Sequence, residues 1–209
     1  MNSAKRPDLS LRRSEKQDAR AVTPLILAAA PSLEVVLRDR ATADRAAEAA
    51  FRAERTVWSH RFGLAAEDGN GPVGLVTAFP GRMYGSLALG TGVVLARAAG
   101  ARHASDLARR GRILQRLLAP IRRQVLYVSA LAVLPDQRGR GIGTALIQRV
   151  LAGAERLGLG VALDAGVEDE AALRLYERLG FQRVDTRRTT QADRRLINIS
   201  GLVRLERTL

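Results

Sequence analysis

The stretch Gln137-Arg138-Gly139-Arg140-Gly141-Ile142-Gly143-Thr144 places three glycines among two arginines. Residues of these types in this spacing suit the binding of a phosphate or pyrophosphate. Glycines let main-chain N–H groups approach a ligand with no side chain in the way, and the arginines add positive charge. If a helix starts here, its first N–H groups lack internal partners and its dipole adds partial positive charge, which completes an anion site. The flanking residues predict that setting. Residues 126–133 form an apolar, partly β-branched run that reads as a buried strand. Pro135 ends it, because proline donates nothing to a ladder and holds its predecessor extended. After the glycines, Leu146, Ile147, Val150, Leu151 and Ala154 recur at helical spacing. The order is strand, glycine-rich turn, helix.

Several phosphate-binding patterns have that order. A Walker A loop needs a lysine after its last glycine, and none is present. The dinucleotide fingerprint G-x-G-x-x-G, started at Gly139, would need a third glycine where Thr144 stands, and residues 134–138 separate the strand from the glycines; Asp164, about 20 residues on, is its one supporting feature. The third pattern is Arg138-x-x-Gly141-x-Gly143. Without a ligand, the same residues make a tight strand-to-helix connection.

A second constellation follows. Residues 158–165 read as another strand. In the run after it Asp169 is a good N-cap, Gly180 a good helix stop, and Ala172, Leu175, Tyr176 and Leu179 share one face. Together Arg138-x-x-Gly141-x-Gly143 and the stretch 172–181, which fits A-x-x-L-Y-x-x-x-G-F, resemble the two signatures of the GNAT superfamily of acyl-CoA-dependent N-acyltransferases. The resemblance covers about residues 125–185 well and the rest by general layout.

The resemblance implies an α/β (α+β) fold: a mixed, mostly antiparallel central sheet of about six to seven strands flanked by helices. It implies one domain over residues 1–209, with 1–8 as a flexible lead. The implied activity is transfer of the acetyl group of acetyl-CoA to a primary amine, by direct attack in a ternary complex. Acetyl-CoA and an amine acceptor, a small molecule or a peptide or protein amine, are the implied partners. The pantetheine arm is expected along Leu131, Ala132 and Val133, and the pyrophosphate on Arg138, Gly139, Arg140, Gly141, Ile142, Gly143 and Thr144. Asp169 stands where many members carry an asparagine that touches the coenzyme; a carboxylate accepts but does not donate, so helix capping is its expected work. Tyr176 is the implied general acid for the leaving thiolate, its ordinary pKa near 10 lying above a thiol's ~8.5, the alternative being a core tyrosine. The general base is not identified: Tyr127 and Ser129 occupy the strand where other members carry an acid, and Glu67, His60 and His103 are candidates only because they ionise usefully. That gap keeps open a different class, a non-catalytic acyl-CoA-binding or regulatory module with the same fold.

Composition bounds the alternatives. The 209 residues are 46% hydrophobic and 26% charged, an ordinary globular balance. No apolar run approaches the ~20 residues of a membrane span, and residues 1–8 carry no apolar signal segment; a cytoplasmic protein fits best. There is no cysteine, and His60 and His103 are the only histidines, so no metal site is expected. The formal net charge is +13. The arginines are scattered over predicted helices and aromatics make up only 4%, so this charge reads as solvated surface rather than a base-stacking nucleic-acid platform.

Around the two constellations, residues 9–13 alternate like a first strand and 18–30 read as a helix disturbed by Pro24. Residues 42–58 read as a second helix, and 62–67 and 73–79 as a hairpin about Asp68-Gly69-Asn70-Gly71. Residues 80–124 exceed a compact core: helices at 87–99 and 104–118 form an insertion between the third and fourth strands, a packing element that also offers acceptor selectivity or a homodimer contact. Residues 80–85 are expected as a loop lining the acceptor side. At the end, 181–184 and 196–205 read as a strand pair with a polar segment between them.

Overall fold

The computed structural model describes residues 9–208; the lead 1–8, expected to be flexible, lies outside the described residues. Seven strands form one sheet in the order β1-β2-β3-β4-β5-β7-β6. They are β1 Ser10–Arg13, β2 Gly63–Glu67, β3 Pro72–Pro80, β4 Val125–Val133, β5 Gly160–Gly166, β6 Gln182–Arg188 and β7 Gly201–Arg207. Every neighbouring pair is antiparallel except β4 with β5. That parallel step requires a crossover, and helix α6 (Ile142–Arg156) supplies it.

Two faces follow from the strand alternation. Val76, Val128 and Leu163 meet Ile142, Leu146, Ile147 and Val150 of α6 and Leu173 and Tyr176 of α7 (Glu170–Arg178) on one face. Leu75 and Ala130 meet α1 (Ala19–Ala29) and α3 (Arg40–Arg52) on the other. Helix α1 runs through Pro24, because Val22, Leu25 and Ile26 are fully buried around it and their burial outweighs one lost backbone bond. Helix α3 stops at Arg52, short of the expected 58, and the Thr56 hydroxyl donates to the Ala50 carbonyl near its end.

Between β3 and β4 lie α4 (Tyr84–Ala99) and α5 (Ala104–Leu117), the expected pair. Residues 80–85 are not the expected loop: Pro80 ends β3, a single 3-10 turn follows, and Tyr84 opens α4. Two short helices were not anticipated, α2 (Ser32–Leu37) and α8 (Gln191–Ile197). Helix α8 occupies the expected polar segment and pushes the last strand to Gly201–Arg207. Thr190 caps it by accepting from the Asp193 N–H, and Ile197 is buried with Val36, Ile113 and Leu117. No helix among the described residues is long and apolar enough to cross a membrane.

Candidate active site

The site begins as an irregularity in β4. Thr77 of β3 faces Ala130 and Ala78 faces Val128, so Ser129 is an extra residue on β4. Its hydroxyl donates to the Val57 carbonyl at 2.6 Å and lies 2.8 Å from the Thr77 hydroxyl, which pins the bulge. A bulge bends its strand and strengthens its twist. Pairing of β4 with β5 accordingly covers only Val125–Val128 against 160–163, although both strands continue. A cleft opens between them from Ser129 and Asp164 onward.

Two cavities of about 510 and 590 Å³ occupy this cleft. They share Ala28, Leu131, Asp169, Ala172 and Tyr176 as lining. The larger one reaches the start of α6. Gly139 and Gly141 have φ of +74° and +79°, a left-handed backbone that favours glycine, and a Cβ at either would meet nothing within 4 Å. The first internal bond of α6 runs from the Ala145 N–H to the Gly141 carbonyl. The N–H groups of Ile142, Gly143 and Thr144 therefore have no helical partner, and Gly141 supplies no side-chain cap. Leu131, Ala132, Val133, Arg138, Gly139, Gly141, Ile142, Gly143, Thr144, Asp169 and Tyr176 all border this cavity; of the expected set only Arg140 does not, its guanidinium being turned to Gln137. Arg178, in the last turn of α7, also borders it.

The edge of β4 that faces the cleft is specific. The Leu134 N–H donates to the Val73 carbonyl, so by two-residue alternation the Ala132 main chain faces β3 while Leu131 and Val133 turn theirs to the open side. The Val133 carbonyl accepts from Arg138 Nε at 3.3 Å. Side chain and main chain thus meet where strand and turn join.

Tyr176 is 7% exposed, packed edge-on against Phe181 with ring centroids 5.7 Å apart. Its hydroxyl makes no hydrogen bond with the described residues, yet none of their buried side-chain polar atoms is without a partner; the hydroxyl therefore reaches open space in the cleft. Burial, and secondarily the charge of Asp169, push its pKa above the ordinary tyrosine value. Asp169 caps α7, Oδ1 accepting from the Ala172 N–H at 3.0 Å.

At the vertex of the cleft lies a cluster that the sequence reading did not assemble. Asp164 accepts from Arg204 Nε and Nη2 at 3.0 and 2.8 Å and from the Tyr127 hydroxyl at 2.8 Å. The Arg204 and Asp164 side chains are 1% and 5% exposed. Burial works against the Arg204 cation, but its bonds to Asp164 outweigh this and raise its pKa. Burial, then the Asp164 charge, raises that of Tyr127 well above its ordinary value. Single charges inside apolar strand runs were the available signal for Asp164 and Arg204. The three ionisable groups considered as a base lie elsewhere: His60 Nδ1 is 3.0 Å from the Phe51 carbonyl, His103 Nδ1 is 3.1 Å from the Ala99 carbonyl, and Glu67 pairs with Arg12.

A split parallel pair with a helix N-terminus at one end and a buried tyrosine beside it is an arrangement for holding a long phosphorylated ligand. Residues 31–181 match the model of the acetyltransferase (GNAT) family, and the chain belongs to that family. An uncharacterized N-acetyltransferase of Methanocaldococcus jannaschii is 44% identical over 62 residues, which cover 29% of this chain and 27% of that relative. Among solved structures, an N-acetyltransferase from Staphylococcus aureus superposes with a TM-score of 0.66 at 16% identity, over 95% of this chain and all of the other. An acetyltransferase from Salmonella typhimurium, solved with its cofactor acetyl-CoA, gives 0.57 at 15% identity over 96% and 94% of the two chains. At these identities the likeness to both structures is one of fold.

Proposed function

We propose that this chain is a single-domain N-acetyltransferase that moves the acetyl group of acetyl-CoA to a primary amine by direct attack in a ternary complex. One observation carries the reading: partnerless N–H groups at the start of α6 and the unpaired edge of β4 open into one cleft with the Tyr176 hydroxyl. The residues present fit the coenzyme. Ile142, Gly143 and Thr144 offer N–H groups, and Gly139 and Gly141 leave room for close approach; Arg138 adds charge to hold the pyrophosphate. Leu131 and Val133 present main-chain donors and acceptors that pair with pantetheine amides as an added strand would. Arg138 exchanges the Val133 carbonyl for phosphate oxygens.

Acetyl-CoA supplies the thioester as substrate. The neutral amine nitrogen bonds to the thioester carbonyl carbon, the carbon–sulfur bond breaks, and Tyr176 gives its proton to the departing sulfur. The proton shed by the amine leaves through water, which restores the balance at the tyrosine. Burial keeps this phenol protonated, so its proton is in place when the sulfur departs, and also makes it a weaker acid, so the transfer follows carbon–sulfur cleavage rather than leading it.

The test is thermal unfolding with acetyl-CoA. A ligand bound only to the native state stabilises it by about 2.7 kcal/mol at a hundredfold excess over Kd, so the melting temperature rises with concentration. A Cβ at Gly143 would meet Leu175 and Val133 at 3.6 and 3.8 Å, ordinary contacts. Gly143→Ala therefore fits the fold but puts a methyl group at the binding surface, and the shift should fall sharply. An undiminished shift in this variant would refute the loop assignment, and binding without thiol release across a panel of amines would replace the transferase by a binding module.

A further inference from the structure

The two ends of the cleft differ in charge. At the end beside α6, Arg138 and Arg178 line the larger cavity. The other cavity is bordered by Asp164, Glu168 and Asp169 and, among the described residues, by no lysine or arginine. Arg204 and Arg194 already pair with Asp164 and Glu168, so an incoming cation meets only the carboxylate charge that these two arginines leave uncompensated. Tyr176, 7% exposed and with no hydrogen-bond partner for its hydroxyl among the described residues, lines the same cavity, which identifies it as the acceptor side on the transferase reading.

The three carboxylates are not equally available. Asp164 is occupied by Tyr127 and Arg204, and Asp169 Oδ1 caps α7. Glu168 is different. It stands at the mouth, its side chain 70% exposed, and one oxygen takes the Ser200 hydroxyl and Arg194. The Arg194 contact is 3.3 Å long between two exposed side chains; such pairs contribute at most about 1 kcal/mol and yield to a competing cation. The other Glu168 oxygen has no partner among the described residues.

We propose that the acceptor is an amine carrying a second cationic group, a diamine or linear polyamine, with that second group seated on Glu168 while the reacting amine lies at Tyr176. This rests on the transferase reading and names its substrate class. A strip of alternating methylenes and ammonium groups fits a cavity whose wall mixes apolar Ala28, Ala29 and Leu131 with polar Ser129, Asn198 and Ser200. The reacting amine must be neutral to attack, whereas the second ammonium keeps its charge and its hydration at the open mouth.

The experiment compares kcat/KM for putrescine, butylamine and gamma-aminobutyrate, matched in length and bearing a cation, nothing or an anion at the far end. The expected order is putrescine, butylamine, gamma-aminobutyrate. Glu168→Gln should reduce the ratio of putrescine to butylamine by about fivefold, acting through KM. Arg194→Ala, which removes the competing cation, should raise that ratio. Equal use of the three amines, or a ratio unmoved in both variants, overturns the proposal and leaves acetyl transfer standing. Intact acetyl-CoA binding with no turnover of any amine overturns both.

Discussion

Tyr176 has two fates open to a tyrosine on an apolar helix face, and its hydroxyl separates them. The ring is core, against Phe181, but the oxygen has no partner among the described residues and Tyr176 lines the cleft. Tyr176→Phe keeps the packing and removes the proton. We expect kcat to fall about a hundredfold, the lower end of what a general acid contributes, with the acetyl-CoA melting shift preserved. A variant with full kcat would leave Tyr176 a packing residue. The position was readable in the sequence because it sits inside a signature whose spacing is local. The Asp164–Arg204–Tyr127 cluster was not, since its members lie 37 and 40 residues apart and meet only through the ladder registers of β4, β5 and β7. Nor could residue type alone place His60, His103 and Glu67: all three ionise, and none borders the cleft.

The elements around the cavity at Glu168 are held from outside by α5. Arg110 is 11% exposed; its Nη1 donates to the Val35 carbonyl of α2 at 3.1 Å and to the Leu196 carbonyl of α8, while Nε binds Asp106. One guanidinium thus bridges the last turns of two helices, where cations are favoured. Pro31 before α2 and residues 198–201 after α8 border the cavity at Glu168. Arg110→Ala leaves two carbonyls without their donor and should cost about 1–3 kcal/mol, a fall in melting temperature of roughly 2–4 °C for each kcal/mol in a chain of this size. An unchanged melting temperature would show that α5 packs without bracing. Helices α4 and α5 were readable from length and periodicity. The short α2 and α8 were not, because six or seven residues carry too little pattern and their burial against α5 decides them; the Thr190 and Asp193 pair was the one local cue, a cap followed by an acid three residues on. The Ser129 bulge, which opens the site, also has no sequence mark, since a strand with one extra residue still reads as an apolar run.

Over the whole molecule, the large positive charge leaves few carboxylates, and several are committed to holding distant segments together. Arg12 of β1 binds Asp18, which leads into α1, and Glu67 at the end of β2. The sheet edge, its first helix and its first hairpin thus meet in one cluster. The Arg12 hydrogen bond, opposed by burial, lowers the pKa of Asp18 below its ordinary value. A carboxylate whose folded pKa is depressed contributes stability that is fully present above its unfolded value, about 3.9, and is lost as the pH falls through the folded value. Arg12 is about one-third exposed and Asp18 nearly buried, so water screens part of the attraction and the cluster is worth about 1–2 kcal/mol at neutral pH. Arg12→Met keeps much of the side chain's apolar bulk and removes the charge. Urea unfolding should show the variant less stable by about that amount near neutral pH, with the gap to the native chain closing as the pH drops below about 4, where protonation removes the same interaction from the native protein. A gap that stays constant down to acid pH would mean that Arg12 acts through packing alone, and that the sheet edge is joined to α1 without its charge.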